Sequence, residues 1–344
     1  MKQSNKRKPE MDLAIRVDGG AKIGYGHLIR SGVLAEEFLS HNHTVTITTT
    51  TPQPARAVFP DAAKIVKLPS RDDPEPFIEW LETASPDLVF TDAYPINTTY
   101  QQAVREHTSI AVLQDDARHA VCADLFTNGN LYAPDLNYEC IGDPPQTCLG
   151  TDYVLLRREI REQAATEPLW RDHPERAIIT MGGSDIGGLT PTVVRAFDGF
   201  DLQVDAVVGP GCSDRQEQAV RTAATETNAD IHVTRDPDDL VNRMLAADFG
   251  VSTASSTTYE LLALGTPLVS IPVVDNQEPI AAALQRRDAA TVLQRGDDEK
   301  AFRNAIAKYV RDTELRHRRR QEGRQLVDGG GTDRLAAAIT ALTQ

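Results

Sequence analysis

The chain has 344 residues, a formal net charge of −14, and only eight lysines against 28 arginines. That length exceeds one core of ordinary size, so two α/β domains are expected. The acidic balance excludes a general nucleic-acid or anionic-membrane binder, since both need a basic footprint.

Residues 1–10 are polar and basic with no apolar core, so they do not read as a signal peptide, and residues 1–12 are expected to be a disordered tail. No apolar run approaches a membrane span, and a cytoplasmic protein without membrane insertion is expected. Cys122, Cys140, Cys148 and Cys212 lack Cys-x-x-Cys spacing, which predicts reduced thiols and no zinc site.

The apolar run 13–17 predicts a strand and 28–39 an amphipathic helix, joined by Asp18-Gly-Gly-Ala-Lys-Ile-Gly-Tyr-Gly-His27. Glycines there, Gly24 and Gly26 among them, let a ligand approach the main chain, and the following helix points unpaired N–H groups at that space. His27 at the junction has the chemistry of a general base near neutrality, although a capping or packing histidine fits the same position. The loop lacks the Gly-Lys-Ser/Thr of a Walker A motif, and Ile29 stands where a dinucleotide fingerprint needs a small residue. Arg16, Lys22 and Arg30 are the local cations available to an anion.

Strand–helix alternation continues through strands at 44–48, 65–68, 87–92 and 110–113, with helical segments at 77–83 and 103–106. Such units build a parallel sheet whose ligands lie beyond the carboxyl ends of the strands. The polar, proline-containing stretch 166–175 reads as a linker between a domain at 13–165 and another at 176–330. In the second domain, strands are expected at 177–181, 202–208, near 231, and at 249–252 and 268–274, with helices from Thr190, near Leu240 and from Thr257. The arginine run 316–320 reads as a solvated helix face. Residues 331–344 form an amphipathic helix that would return to the first domain in folds of this kind.

Gly182-Gly183-Ser184-Asp185 is a second glycine turn before a helix; Gly183 and Ser184 are candidate ligand contacts, while Asp185 reads as a turn residue. In Ser252-Thr-Ala-Ser-Ser-Thr-Thr-Tyr-Glu260, Thr257 to Glu260 fits a capping box. The functional alternative has Ser256, Thr257 and Thr258 meeting a diphosphate and Glu260 a ribose diol. Asn276 and Gln277 offer amides to sugar hydroxyls or cap the next helix.

Taken in order, the loop 15–30, Asp115-Asp116, Asn128-Gly-Asn130, residues 150–157, Met181-Gly-Gly-Ser184, Ser256-Thr-Thr-Tyr-Glu260 and Asn276-Gln277 resemble the pseudaminic-acid pathway UDP-sugar hydrolases. That family is also labelled spore-coat polysaccharide biosynthesis protein G and is related to GT-B glycosyltransferases of the MurG type. The resemblance spans about residues 13–293. It implies a GT-B-like α/β fold of two Rossmann-like, doubly wound domains facing a central cleft. It also implies an inverting, metal-independent hydrolysis that needs no cofactor and releases UDP from an amino-deoxy sugar. His27 would activate the water; Asp18, Lys22, Gly24, Gly26, Arg30, Gly183, Ser184, Ser256, Thr257, Thr258, Glu260, Asn276 and Gln277 would contact substrate. Asp115 and Asp116 are the weak candidates for magnesium. Ser255 replaces a glycine found in many members, and its side chain would narrow the approach of the diphosphate. An inverting glycosyltransferase with the same donor, or a non-catalytic nucleotide-sugar binder, are the competing readings.

The carboxylate-rich, lysine-poor composition is suited to high salt. A melting temperature that rises between low and molar KCl is the expected outcome, and a flat response contradicts it.

Overall fold

The structure is a computed structural model that describes residues 11–20 and 23–343. The tail at 1–10 and Lys22 lie outside the described residues. Met11 and Asp12 do not belong to a tail: Met11 is buried, its amide donates to His43 Nδ1 at 3.1 Å, and Asp12 opens the first strand.

The chain forms two compact units, the first built from residues 1–155 and 331–344, the second from 156–330. Along the first run β1 (Asp12–Val17), α1 (Gly26–Ser40), β2 (Thr44–Thr49), α2 (Pro52–Arg56), β3 (Lys64–Lys67), α3 (Glu75–Ala84), β4 (Leu88–Asp92), α4 (Thr98–Arg105), β5 (Ser109–Leu113), β6 (Leu125–Asn128) and β7 (Gln146–Leu149). These strands make a parallel sheet in the order β3-β2-β1-β4-β5-β6-β7. The order reverses between β1 and β4, the position where open α/β sheets leave a crevice at their carboxyl ends.

Strand periodicity places Leu13, Ile15 and Val17 on one face with Leu28, Leu34 and Phe38 of α1, while Ala14 faces Phe77, Val89, Tyr100 and Val112 on the other. Both faces are covered, which is why β1 is apolar at nearly every position. Apart from Asp12 at its start, Arg16 is the one charged position, and it is fully buried. Its Nη1 donates to Asp18 at 2.8 Å and its Nη2 to the Arg71 carbonyl at 3.1 Å.

The second unit holds α5 (Arg158–Ala164), β8 (Arg176–Thr180), α6 (Thr190–Ala196), β9 (Gln203–Val208), α7 (Asp214–Thr225), β10 (Asp230–Arg235), α8 (Leu240–Ala246) and β11 (Phe249–Thr253). It continues through α9 (Ser256–Leu264), β12 (Leu268–Ile271), α10 (Glu278–Arg286), β13 (Ala290–Val292), α11 (Glu299–Arg311) and α12 (Thr313–Leu326). The parallel sheet order is β10-β9-β8-β11-β12-β13, reversing between β8 and β11. No helix among the described residues is long and apolar enough to cross a membrane.

Two expectations are corrected here. The stretch 166–175 is not the boundary, because the units part between Leu155 and Leu156, and its backbone is held within the second unit by α12. Arg316 donates to the carbonyls of Arg171 (2.9 Å) and Asp172 (2.6 Å), Arg320 to those of Leu169 (3.1 Å) and Pro168, and Arg324 to that of Thr166 (2.8 Å). The arginine run is therefore not a solvated face. Arg316, Arg319 and Arg320 are buried, and Arg316 and Arg320 also lie over the Trp170 ring. Missing apolar periodicity reports a missing apolar face; it does not report missing tertiary contacts, because carbonyls and guanidinium groups pair independently of hydropathy.

The last helix, α13 (Gly331–Ala341), packs in the first unit against α1, burying Leu335 and Ile339 in the core with Leu28 and Phe38. Leu335→Ala is expected to lower stability by about 2–5 kcal/mol, the range for a large-to-small change in a closed core, as read by urea unfolding. A loss below about 1 kcal/mol would mean α13 is not part of that core.

Candidate functional site

At the carboxyl edge of the first sheet the loop after β1 closes on itself, with the Gly20 and Gly24 backbones exchanging hydrogen bonds at 3.0 and 2.7 Å. Gly24 sits at φ +96°, which L side chains rarely adopt, so the loop's turn depends on glycine there. Its amide is consumed inside the turn and is not presented to a ligand. Gly26 opens α1 in the open, and Tyr25, the residue before it, gives no side-chain cap to the helix.

Asp18 is engaged within the protein. Its carboxylate is fully buried and accepts from Arg16 Nη1, Thr49 Oγ1 (3.1 Å), Thr50 N (2.6 Å) and Thr50 Oγ1 (2.8 Å). Burial would raise its pKa, but Arg16 and the Thr50 hydrogen bonds hold it below the usual carboxylate range. Asp18 thereby ties the glycine loop to the end of β2. Arg16 and Arg30 are likewise unavailable as loose anion receptors, because each is matched to buried carboxylates.

His27 occupies the first turn of α1 and is mostly buried, with Nδ1 2.6 Å from Oδ1 of Asp92 at the end of β4. The two residues thus face each other across the β1/β4 reversal. Asp92 also receives Arg30 Nε at Oδ2 (2.6 Å), Arg30 Nη2 at Oδ1, and Ser31 Oγ at Oδ2 (3.2 Å). Burial alone would raise the Asp92 pKa; Arg30 first and His27 second outweigh it and hold the carboxyl well below its ordinary range. An ionised carboxylate is an acceptor only, so Nδ1 carries the ring proton that Asp92 accepts. The Tyr94 ring meets the imidazole edge-on, with centroids 4.7 Å apart. His27, Tyr94, Asp115, Asp116, Arg118 and His119 line a recess beside the imidazole.

Asp115 accepts from Arg30 Nη1 at 2.7 Å and Asn130 Nδ2 at 3.0 Å, while Asp116 is paired with Arg118, whose guanidinium lies 4.3 Å over the Tyr94 ring. Both carboxylates weighed for magnesium are matched to arginines. Among the described residues no group of three or more His, Cys, Asp or Glu is arranged to hold a metal ion.

In the second unit, Gly182 to Asp185 follow β8 and Ser255 precedes α9 directly after β11, again on either side of a sheet reversal. Gly183 and half-buried Ser184 are anchored through their carbonyls, which accept from Gly211 N at 2.8 Å and Gln216 Nε2 at 3.1 Å. Gly209 passes so close that a Cβ would stand 2.5 Å from the Gly183 carbonyl oxygen. Asp185 turns inward and accepts from the Leu189 and Thr190 amides at 2.9 and 3.1 Å, a turn and cap role.

The capping box read at Thr257 to Glu260 does not form. The N-cap of α9 is Ser255, whose side chain makes no cap hydrogen bond and instead accepts from Thr253 Oγ1 at 3.3 Å. Its φ of −131° is ordinary extended backbone, so serine fits without strain where glycine was expected. Ser256 is exposed and Thr257 half-buried at this uncapped terminus, which leaves hydroxyls and first-turn amides for an anion. Thr258 is not among them, being fully buried with Oγ1 donating to the Thr253 carbonyl at 3.1 Å. Glu260, one turn on, accepts from Arg157 Nε at 2.8 Å. Asn276 is exposed after β12, whereas Gln277 folds back and accepts from the Val273 amide at 2.9 Å, bracing its own turn.

Asp92 was not foreseen as a site residue. Its signal was an acid closing the apolar run of β4, at the strand end where ligands bind.

No family model matches the chain. The chain is 23% identical over 281 residues to UDP-2,4-diacetamido-2,4,6-trideoxy-beta-L-altropyranose hydrolase of Campylobacter jejuni, covering 80% of this chain and 97% of that protein. It is 22% identical over 340 residues to the spore coat polysaccharide biosynthesis protein SpsG of Bacillus subtilis, covering 96% and 98%. Protein MJ1062 of Methanocaldococcus jannaschii is 23% identical over 270 residues, 75% of this chain, and the chain spans 55% of its length. Among solved structures, Acinetobacter baumannii MurG superposes with a TM-score of 0.70 at 14% identity, covering 97% of this chain and all of that one. The calicheamicin glycosyltransferase CalG4 gives 0.67 at 15% identity, covering 97% and 98%. The chain has the GT-B fold of these glycosyltransferases.

Proposed function

We propose that this GT-B chain, similar over most of its length to a UDP-sugar hydrolase and to SpsG, is an enzyme that processes a nucleotide sugar in glycan biosynthesis. The finer reading is hydrolysis of a UDP-linked amino-deoxy sugar at the anomeric carbon with inversion, on the route to a nonulosonic acid or a surface polysaccharide. The observation that carries it is the His27 and Asp92 pair, with Nδ1 held by a buried carboxylate beside the recess.

In this reading Nε2 takes a proton from water as the water oxygen bonds to the anomeric carbon, and the bond from that carbon to the diphosphate oxygen breaks. The resulting imidazolium stands against the Asp92 carboxylate, which stabilises it without accepting the proton. UDP departs with the bond pair. Its growing charge needs preorganised donors more than a proton, and the Ser256 hydroxyl and first-turn amides of α9 supply donors of that kind. Asn276 and the Glu260 carboxylate serve the sugar and ribose hydroxyls. The scheme routes no step through a metal or cofactor.

Incubation with a panel of UDP-sugars, followed by NMR, reads UDP, free sugar and anomeric configuration together. Release of UDP and a sugar of inverted configuration is expected. Release only when a hydroxyl acceptor is added would favour the glycosyltransferase reading, and binding without release a carrier. His27→Asn should reduce turnover about 10²- to 10⁴-fold with UDP affinity nearly intact, as loss of a general base does; near-normal turnover removes His27 from the mechanism.

Glu260→Ala should weaken UDP binding by about 1.5–3 kcal/mol, measured by titration calorimetry. A fall in melting temperature with unchanged affinity would make Glu260 a partner of Arg157 only.

A further inference from the structure

His27 and Asp92 are not an isolated pair: the network extends through Arg30 to Asp115 and the Asn128-Gly-Asn130 turn, a motif that no step above uses. Arg30 donates Nε and Nη2 to the two Asp92 oxygens and turns Nη1 to Asp115 Oδ1 at 2.7 Å. Asn130 Nδ2 donates to the same Asp115 oxygen at 3.0 Å and to Asn128 Oδ1 at 2.8 Å. Asn128 lies at the end of β6, Asp115 just beyond β5, Asp92 at the end of β4, and His27 in the helix that follows β1. The chain of hydrogen bonds therefore crosses the carboxyl ends of three neighbouring strands and ends on the imidazole.

Arg30 Nη2 stands 3.0 Å from His27 Nδ1. Both nitrogens lie within hydrogen-bond distance of the same Asp92 oxygen, Oδ1. A fixed positive charge consequently faces the ring at contact distance and opposes its second protonation, while the same guanidinium pins the carboxylate that orients the ring. The ionisable neighbours are Asp92 from β4, Tyr94 just beyond it, whose hydroxyl donates to Asp115 Oδ2 at 3.5 Å, Arg30 from α1 itself, and Asp115, Asp116, Arg118 and His119 from the segment after β5. Asp116 and Arg118 form their own ion pair, and His119 is turned to the Tyr94 carbonyl at 3.2 Å. That leaves Asp92, Arg30 and Asp115 to set the charge around the base.

We propose that Arg30 is a positioning residue that holds the His27 base in its neutral, Nε2-bare form, and that Asp115, fixed by Asn130, tunes how much of the Arg30 charge the base feels. The proposal rests on the hydrolase reading for its kinetic consequence, and it has a readout that needs no substrate.

Arg30→Gln removes the opposing charge, so the acidic limb of the pH–rate profile should move up by roughly one to three pH units. Asp115→Asn unmasks that charge and should move the limb down by a smaller amount. Arg30→Lys keeps the charge but loses the fork, so the limb should stay near its wild-type position while kcat falls about 10-fold or more and KM changes little. The His27 ring titration, followed by NMR in the same three proteins without substrate, should move in the same directions. Should Arg30→Gln fail to fold, the Asp115→Asn and Arg30→Lys pair carries the test. Shifts in one common direction, or no shift with intact folding, overturn the proposal. A wild-type protein that releases no sugar from any UDP-sugar overturns the hydrolase reading instead, and the ring titration then decides the role of Arg30.

Discussion

The structure of the candidate site depends on one buried carboxylate. Asp92 is fully buried at the end of β4, and a charge in that position is tolerable only with matched partners. Arg30 and Ser31 approach from α1, as does His27, so three residues of one helix turn converge on one side chain of the neighbouring strand. This fixes α1 relative to β4 as well as the ring relative to the recess. Removing one partner of a buried pair leaves an uncompensated charge, at a cost of about 3–5 kcal/mol, several times the value of an exposed ion pair. The orientation of the imidazole and the local stability of the sheet edge are therefore one arrangement.

The same device recurs away from the base. Arg16 and Asp18, both fully buried, tie β1 to its glycine loop and to the end of β2. In the second unit Arg316 and Arg320 thread an extended segment onto α12 through its carbonyls. In a chain with 28 arginines, a planar fork that keeps its charge when buried does structural work that a lysine ammonium does less well. Polar segments are held in register by guanidinium groups where apolar faces are lacking.

How much of this was legible in the sequence follows from the range of each interaction. The central strands were readable because burial on both faces makes 13–17 and 249–252 short, mostly apolar runs, broken only by Arg16 in the first and by Gly250 and Ser252 in the second. β6, β7 and β13 were not, being three or four residues long with Thr, Asn or Gln among them, too short to show a period. His27 could be singled out from its own loop. Asp92 could be seen as an acid at a strand end, but 65 residues separate it from the histidine, and no local pattern joins them. Arg30 was read as a receptor for an anionic ligand, and the anions it meets are Asp92 and Asp115 of the protein itself. Local motifs locate a candidate site; long-range pairing decides which of its residues are left open. Thr258 and Gln277 show the same limit, since their neighbours Thr257 and Asn276 are the ones left open.

The account turns on where the proton of His27 sits. Nitrogen-15 NMR of the folded protein at neutral pH, with the His27 ring assigned by the His27→Asn spectrum, reads this directly. The account predicts a proton on Nδ1 and a bare Nε2. A proton on Nε2 with Nδ1 bare would contradict it, because Nε2 could then not serve as the proposed base.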